Sequence, residues 1–139
     1  MTKYFLSLLL VISLYSCNKN TVDPTPQTPI STAITQETFE SFYNKFHKDS
    51  LFQMSRIKFP LQGKLYDHGE EVEWKKENWS LFIHSLEEVD TTQYKISREI
   101  TPQIITEKVW IQDSGFFSEM KYEYLNNEWF LTYYNEINN

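Results

Sequence analysis

Between Tyr43 and Arg56 the chain concentrates side chains that can move protons or fix charge: Tyr43, His47, Asp49, Gln53 and Arg56. On a helix, Tyr43 and His47 stand four residues apart and share a face. An imidazole titrates near neutrality, and a carboxylate such as Asp49 can orient it for acid–base work. The same residue types also build folds. In that reading Asp49 caps a helix, His47 lies on the surface, and Arg56 pairs with Asp49 to fix a turn between two helices. The structural reading is the stronger one, because ion-pair networks commonly imitate active sites.

Other chemistry finds little support. His47, His68 and His84 are scattered without ligand spacing, so no metal site is expected. The run Glu70-Glu71-Val72-Glu73 lacks the Asp/Asn periodicity of a calcium loop and fits a solvated strand edge or loop. Glu87-Glu88-Val89-Asp90 reads the same way. No serine is framed by elbow glycines, and no glycine-rich phosphate loop exists, so no cofactor is expected. A carboxylate pair for glycoside hydrolysis stays open, because its separation is set by the fold.

The one cysteine, Cys17, follows an apolar run containing Tyr4 to Tyr15, preceded by Lys3. The run is too short and wrongly flanked to span a membrane and reads as a cleaved export leader over residues 1–16. Leu14-Tyr15-Ser16-Cys17 resembles the lipobox of bacterial lipoproteins. The resemblance implies cleavage before Cys17, acylation of that residue and a partner in the membrane. More than one acyl chain makes such an anchor stable, at about 0.8 kcal/mol per buried CH2. Asn18 follows the cysteine and the first acidic residue is Asp23, so the early acidic run resembling surface-export signals is missing. The expected location is the cell envelope, on an outer membrane and facing the periplasm.

Residues 17–35 hold the lipidated cysteine and a linker in which Pro24, Pro26 and Pro29 alternate with Thr and Gln. Such a segment buries too little apolar surface to fold and favours extended conformations. Loss of Lys3 with the leader takes the formal charge from −6 to −7. Without a Lys/Arg cluster, a net acidic chain is a poor partner for nucleic acid. Residues 36–139 form one domain. It holds all of the aromatic residues (Phe 10, Tyr 9, Trp 4) except Tyr4, Phe5 and Tyr15.

Thr35 is placed to cap a helix over residues 36–47, where Phe39, Phe42, Tyr43 and Phe46 fall at i, i+3, i+4 and i+7. Glu37 suits the positive end of its dipole. Asp49-Ser50 can cap a short second helix, and Pro60 ends or deflects the segment after Arg56. Gly63 and Asp67-His68-Gly69 mark turns. Trp79, Phe82, Ile83 and Leu86 have helical spacing, which favours a short helix over residues 76–86, with a strand as the alternative. Residues 94–100, 104–112, 116–124 and 129–133 alternate at period two, and Asn126-Asn127 suits a tight hairpin. Trp129 and Tyr133 then share one face, Phe130 and Tyr134 the other. The fold class is α+β, with N-terminal helices packed on a curved antiparallel sheet.

That arrangement, with the ending Tyr124-Leu125-Asn126-Asn127-Glu128-Trp129-Phe130-Leu131, resembles the cystatin-like and nuclear-transport-factor-2-like folds. The stretch from Phe42 to Ile57, followed by Phe59-Pro60-Leu61, resembles an uncharacterised Bacteroides-type lipoprotein family of unknown function. The resemblance implies a cystatin-like fold and no activity. Trp74, Trp79, Trp110, Trp129 and the tyrosines fit core filling better than a ligand cavity or carbohydrate platform. Aromatics on both faces of the last strands mean two covers or a contact patch. The functional expectation is a non-enzymatic binding or accessory module for a small ligand or an envelope protein. Its alternative is a small enzyme with an acid/base group in a cone-shaped cavity.

Overall fold

The computed structural model describes residues 36–139. The readings placed on Thr35, on the leader, on Cys17 and on the linker lie outside these residues. Two short helices, α1 (Phe39–Phe46) and α2 (Ser50–Ser55), lead into a six-stranded sheet. Its strands are β1 (Ile57–Asp67), β2 (Glu70–Trp74), β3 (Lys95–Ile100), β4 (Ile104–Trp110), β5 (Phe116–Leu125) and β6 (Glu128–Asn138). A single 3-10 turn, Leu86–Glu88, interrupts the long connection between β2 and β3.

Helix α1 forms where its aromatic stripe was read. Phe42, Tyr43 and Phe46 are buried, and Phe39 packs beside them. The cap is Thr38, whose hydroxyl accepts from Ser41 N–H. Glu37 serves tertiary structure as well: its Oε2 accepts from Trp129 N–H at 2.7 Å. Asp49 caps α2, accepting from Phe52 N–H at 3.0 Å, as its type and place suggested. Tyr122, fully buried at the sheet centre, meets the rings of Phe39, Phe42, Tyr43 and Phe46 at 5.5–5.8 Å, mostly edge to face.

The strand order is β2-β1-β6-β5-β4-β3. Strands β3 to β6 form the expected antiparallel meander, and Asn126 and Asn127 both take positive φ in its last hairpin. The sheet is mixed rather than antiparallel throughout, because β1 runs parallel to β6. Pro60 deflects β1 without ending it. The β1–β6 register breaks between Ile57 and Gln62, a place where the missing N–H is tolerated. Gly63 is a strand irregularity rather than a turn. At φ 87° it presses on β6 so closely that a Cβ there would sit 2.1 Å from the Tyr134 carbonyl oxygen. Another irregularity, between Leu131 and Tyr133 of β6, shifts the face pattern. Trp129 and Tyr134 therefore both enter the core, and Tyr133 joins Phe130 on the opposite face.

Residues 76–86 form neither an α-helix nor a strand, and only Leu86 enters the 3-10 turn. β2 and β3 lie at opposite edges of the sheet, so the chain between them crosses the whole helix-bearing face as an irregular strap. Trp79 and Phe82 point into the core, whereas Leu81 and Ile83 are exposed. Gln53, fully buried, fastens this strap. Its amide nitrogen donates to Phe46 O at 2.8 Å and Phe82 O at 2.7 Å. Its amide oxygen accepts from Phe82 N–H at 2.9 Å and from the Trp79 indole at 3.2 Å. Every hydrogen-bonding capacity of the amide is thus used.

Gln53→Glu keeps the shape and removes both donors. It should cost about 2–4 kcal/mol, a fall in Tm of at least roughly 10 °C. Thermal denaturation followed by circular dichroism measures it, and an unchanged Tm would show that this amide does not hold the strap.

Candidate functional site

The sequence-predicted polar cluster divides in four. Gln53 is a core fastener and Asp49 a helix cap. Arg56 pairs not with Asp49 but with Glu37 at 3.0 Å and Glu128 at 2.8 Å, and its guanidinium donates to Trp129 O at 3.1 Å. It sits over the rings of Phe52 and Phe130 at 4.8 and 5.3 Å. This arrangement clamps the start of α1 to the β5–β6 hairpin. Only Tyr43 and His47 remain together. Their rings lie 4.4 Å apart, and His47 Nδ1 is 2.9 Å from the Tyr43 carbonyl oxygen.

Tyr43 and His47 belong to a second cluster, whose centre the sequence reading missed. Arg98 on β3 and Glu107 on β4 stand directly opposite in the sheet register, on the face toward α1. Glu107 is fully buried. Arg98 Nε donates to Glu107 Oε1 at 2.7 Å. Its Nη2 lies 2.5 Å from the same oxygen but is poorly aligned for a hydrogen bond, so that approach is an attraction of charges. Arg98 Nη1 donates to Glu87 on the strap at 2.5 Å. The Tyr43 hydroxyl donates to Glu107 Oε2 at 3.0 Å and accepts from Leu86 N–H at 2.8 Å. Helix, strap and two strands therefore meet at one hydroxyl and one carboxylate. A cue existed in the sequence: Arg98 and Glu107 occupy the apolar phase of their strands, between Ile96 and Ile100 and between Ile105 and Val109.

Burial pushes the Glu107 carboxyl above its ordinary value of 4.5, and the Arg98 guanidinium opposes that rise without cancelling it. Burial also raises the Tyr43 phenol, helped by the neighbouring Glu107 charge. Burial lowers His47 below 6.5, against the contrary pull of its contact with the Tyr43 carbonyl. A neutral His47 that donates from Nδ1 to that carbonyl presents Nε2 as an acceptor.

Along this cluster runs an open groove of about 540 Å3. Its floor is Phe39, Tyr43, His47 and Arg98; Asn44 and Lys48 form the helix side, and Ser85, Glu87 and Glu88 the strap side. It lies beside α1 rather than beneath it, where the aromatic rings fill the space. Glu107 lines a separate hollow of about 60 Å3 behind Tyr43. Among the described residues, no three His, Cys, Asp or Glu side chains converge to hold a metal ion.

The architecture is that of the cystatin-like and nuclear-transport-factor-2-like α+β proteins. A cystatin-like protein from Bacteroides caccae matches with a TM-score of 0.56 at 21% identity, over 73% of this chain and 76% of its own. A protein from Bacteroides uniformis, solved by NMR, matches with a TM-score of 0.51 at 22% identity, over 74% of this chain and 77% of that one. A nuclear-transport-factor-2-like protein from Bacteroides fragilis matches at 0.50 and 16% identity, over 73% of this chain and 46% of its own. A family model matches residues 37–139, and the chain belongs to that family, a group of Bacteroides proteins described only by likeness. No curated protein matches. The family resemblance read from residues 42–61 therefore holds, and the fold class holds with a mixed sheet and short helices.

Arg98→Met leaves Glu107 buried without its cation. Near neutral pH it should cost about 2–3 kcal/mol, less than for a fully buried pair because a quarter of the Arg98 side chain is exposed. An acid whose folded pKa is raised stabilises at low pH, and that stability is lost as pH rises through the folded value. The variant should therefore recover on acidification toward 4.5 and weaken as pH climbs. His47 works in the opposite sense, its contribution being lost as pH falls below 6.5. Comparison with Arg98→Met/Glu107→Gln, which keeps His47, isolates the carboxyl. Equal pH dependence of Tm in the two variants would exclude Glu107 as the source.

Proposed function

We propose that this chain is a lipid-anchored cell-envelope protein whose domain binds a small polar ligand, or a side chain of an envelope protein, in the groove beside α1. The observation that carries the binding reading is the groove itself. At about 540 Å3 it exceeds the roughly 300 Å3 at which ligand sites begin. Its floor combines aromatic surface with groups already fixed by hydrogen bonds, which orients a ligand without reorganisation. The acid/base alternative would turn to Glu107, but that carboxylate is engaged by Arg98 and Tyr43 and lies behind the groove floor. Anchoring rests on Cys17 and the sequence before it, with residues 17–35 as the spacer and the periplasmic face of an outer membrane as the proposed location.

Asn44 is exposed and lines the groove from the helix side. Asn44→Trp should fill the groove and leave Tm within a few degrees. A compound panel screened by thermal shift should yield ligands whose stabilisation falls at least tenfold in apparent affinity in this variant. Ligands indifferent to Asn44→Trp, or turnover of a panel compound, would overturn the groove-binding reading.

Cys17→Ser should move the protein from the membrane pellet to the soluble fraction after cell breakage. Retention in the pellet would overturn anchoring through Cys17.

A further inference from the structure

We propose that β3 is a self-pairing edge, by which two copies of the chain join their sheets around a two-fold axis through Ser97. β3 ends the strand order, and among the described residues only β4 pairs with it. At the β3–β4 turn, Thr101 N–H donates to Ile104 O at 2.9 Å. Backbone groups alternate in direction along an antiparallel pair. Lys95, Ser97 and Glu99 therefore turn their N–H and C=O toward β4, while Ile96, Arg98 and Ile100 turn theirs outward. A hollow of about 240 Å3, lined by Leu86, Glu87, Ile96, Ser97 and Arg98, lies beside that edge.

The occupant follows from the pattern. In an antiparallel self-pairing, outward residues must meet outward residues, so the axis falls on a residue and not between two. An axis on Arg98 sets the two arginines opposite each other, which is unfavourable. An axis on Ile96 leaves Glu99 and Ile100 beyond the partner's strand. An axis on Ser97 keeps Lys95 to Glu99 of both copies paired and leaves only Ile100 facing a residue beyond β3. Lys95 then stands opposite the second copy's Glu99, and Glu99 opposite its Lys95, giving two complementary pairs on the face away from α1. On the other face Ile96 meets Arg98, and Ile100 meets Tyr94. Ile100, at 71% relative exposure the most open large apolar residue of the sheet, gains an aromatic neighbour. The two Ile96/Arg98 pairs exchange backbone hydrogen bonds, whereas Tyr94 N–H is already held by Asp90 O of its own chain at 2.9 Å. Glu99 already meets Lys108 of its own chain at 3.4 Å, an exposed contact that leaves the carboxylate accessible.

The other edge is built against the same event. β2 carries Glu70, Glu71 and Glu73 in five residues. Self-pairing of β2 about Glu71, Val72 or Glu73 places carboxylates opposite each other, a common guard on exposed edges.

The axis is read by a cysteine. Facing Ser97 residues form a non-hydrogen-bonded pair with Cα atoms about 4.5 Å apart, within the disulfide range of about 4.4–6.8 Å. In a full chain carrying Cys17→Ser, Ser97→Cys should give a disulfide-linked dimer under mild oxidation, and Lys95→Cys or Glu99→Cys should not. Sedimentation should show a dimer for the Cys17→Ser chain. Lys95→Glu should raise its dissociation constant at least tenfold, and Lys95→Glu/Glu99→Lys should restore it. A monomer at the highest soluble concentration would overturn the proposal. So would a dimer indifferent to the charge reversal. A dimer seen only after deletion of residues 18–35 would assign the edge to that segment and overturn it as well.

Discussion

Everything on the helix-bearing face of this domain follows from one topological constraint: β2 and β3 are consecutive in the chain but lie at opposite edges of the sheet. Residues 75–94 must cross the sheet without strand partners, and each buried backbone group on the way needs a hydrogen bond from elsewhere. Side chains supply them. Asn78 holds Lys75 N–H and Glu73 O, Gln53 holds both backbone groups of Phe82, and Tyr43 holds Leu86 N–H. Glu88 and Asp90 close the local turns on Ser85 and Thr92. At Phe82 and Leu86 the strap thus takes its backbone partners from side chains of α2 and α1, and elsewhere it closes on its own side chains. The groove exists because the strap passes α1 at a distance set by Tyr43 and Arg98, not by direct helix contact.

This constraint separates what the sequence disclosed from what it concealed. Local rules held where local forces decide. The aromatic stripe of α1, the Asp49 cap, the alternation in β3 to β5 and the paired asparagines before Glu128 each depend on neighbours within a few residues. The failures share a non-local cause. Gly63 read as a turn, yet β1 continues through it because β6 runs beside it and accommodates the irregularity. Trp79, Phe82, Ile83 and Leu86 have the spacing of a helix face, but Gln53 and Tyr43, distant in sequence, fix that backbone instead. The irregularity in β6 swaps the faces of Tyr133 and Tyr134, and strict alternation carries no sign of it. Of the polar cluster between Tyr43 and Arg56, only the Tyr43–His47 pairing and the Asp49 cap were legible. Arg56 had three acceptors far along the chain, and proximity in sequence favoured the wrong carboxylate.

The buried pair Arg98–Glu107 shows why a charged residue in an apolar phase carries information. Taking both groups from water is costly, and their attraction offsets that cost only when the remaining lone pairs and donors are also met. Here the Tyr43 hydroxyl meets the second carboxylate oxygen, and Glu87 meets the outer end of the guanidinium. The result is a polar contact with one geometry, joined to α1, the strap, β3 and β4 together. Its bonds are directional, so the network ties the strap to α1 along one side of the groove.

Arg98 also determines the electrostatic character of that groove. Its charge lies at the floor, yet Glu107 and Glu87 have already matched it, and the rim adds Glu40 and Glu88 against Lys48 alone. An anion entering the groove therefore meets a guanidinium whose charge is already paired with two carboxylates and a rim that repels it. A neutral or cationic group meets aromatic faces at Phe39 and Tyr43 and an acceptor at His47 Nε2. Under the proposed binding role, Arg98 favours the ligand opposite to the one its own charge suggests, because its partners lie closer to it than any ligand can.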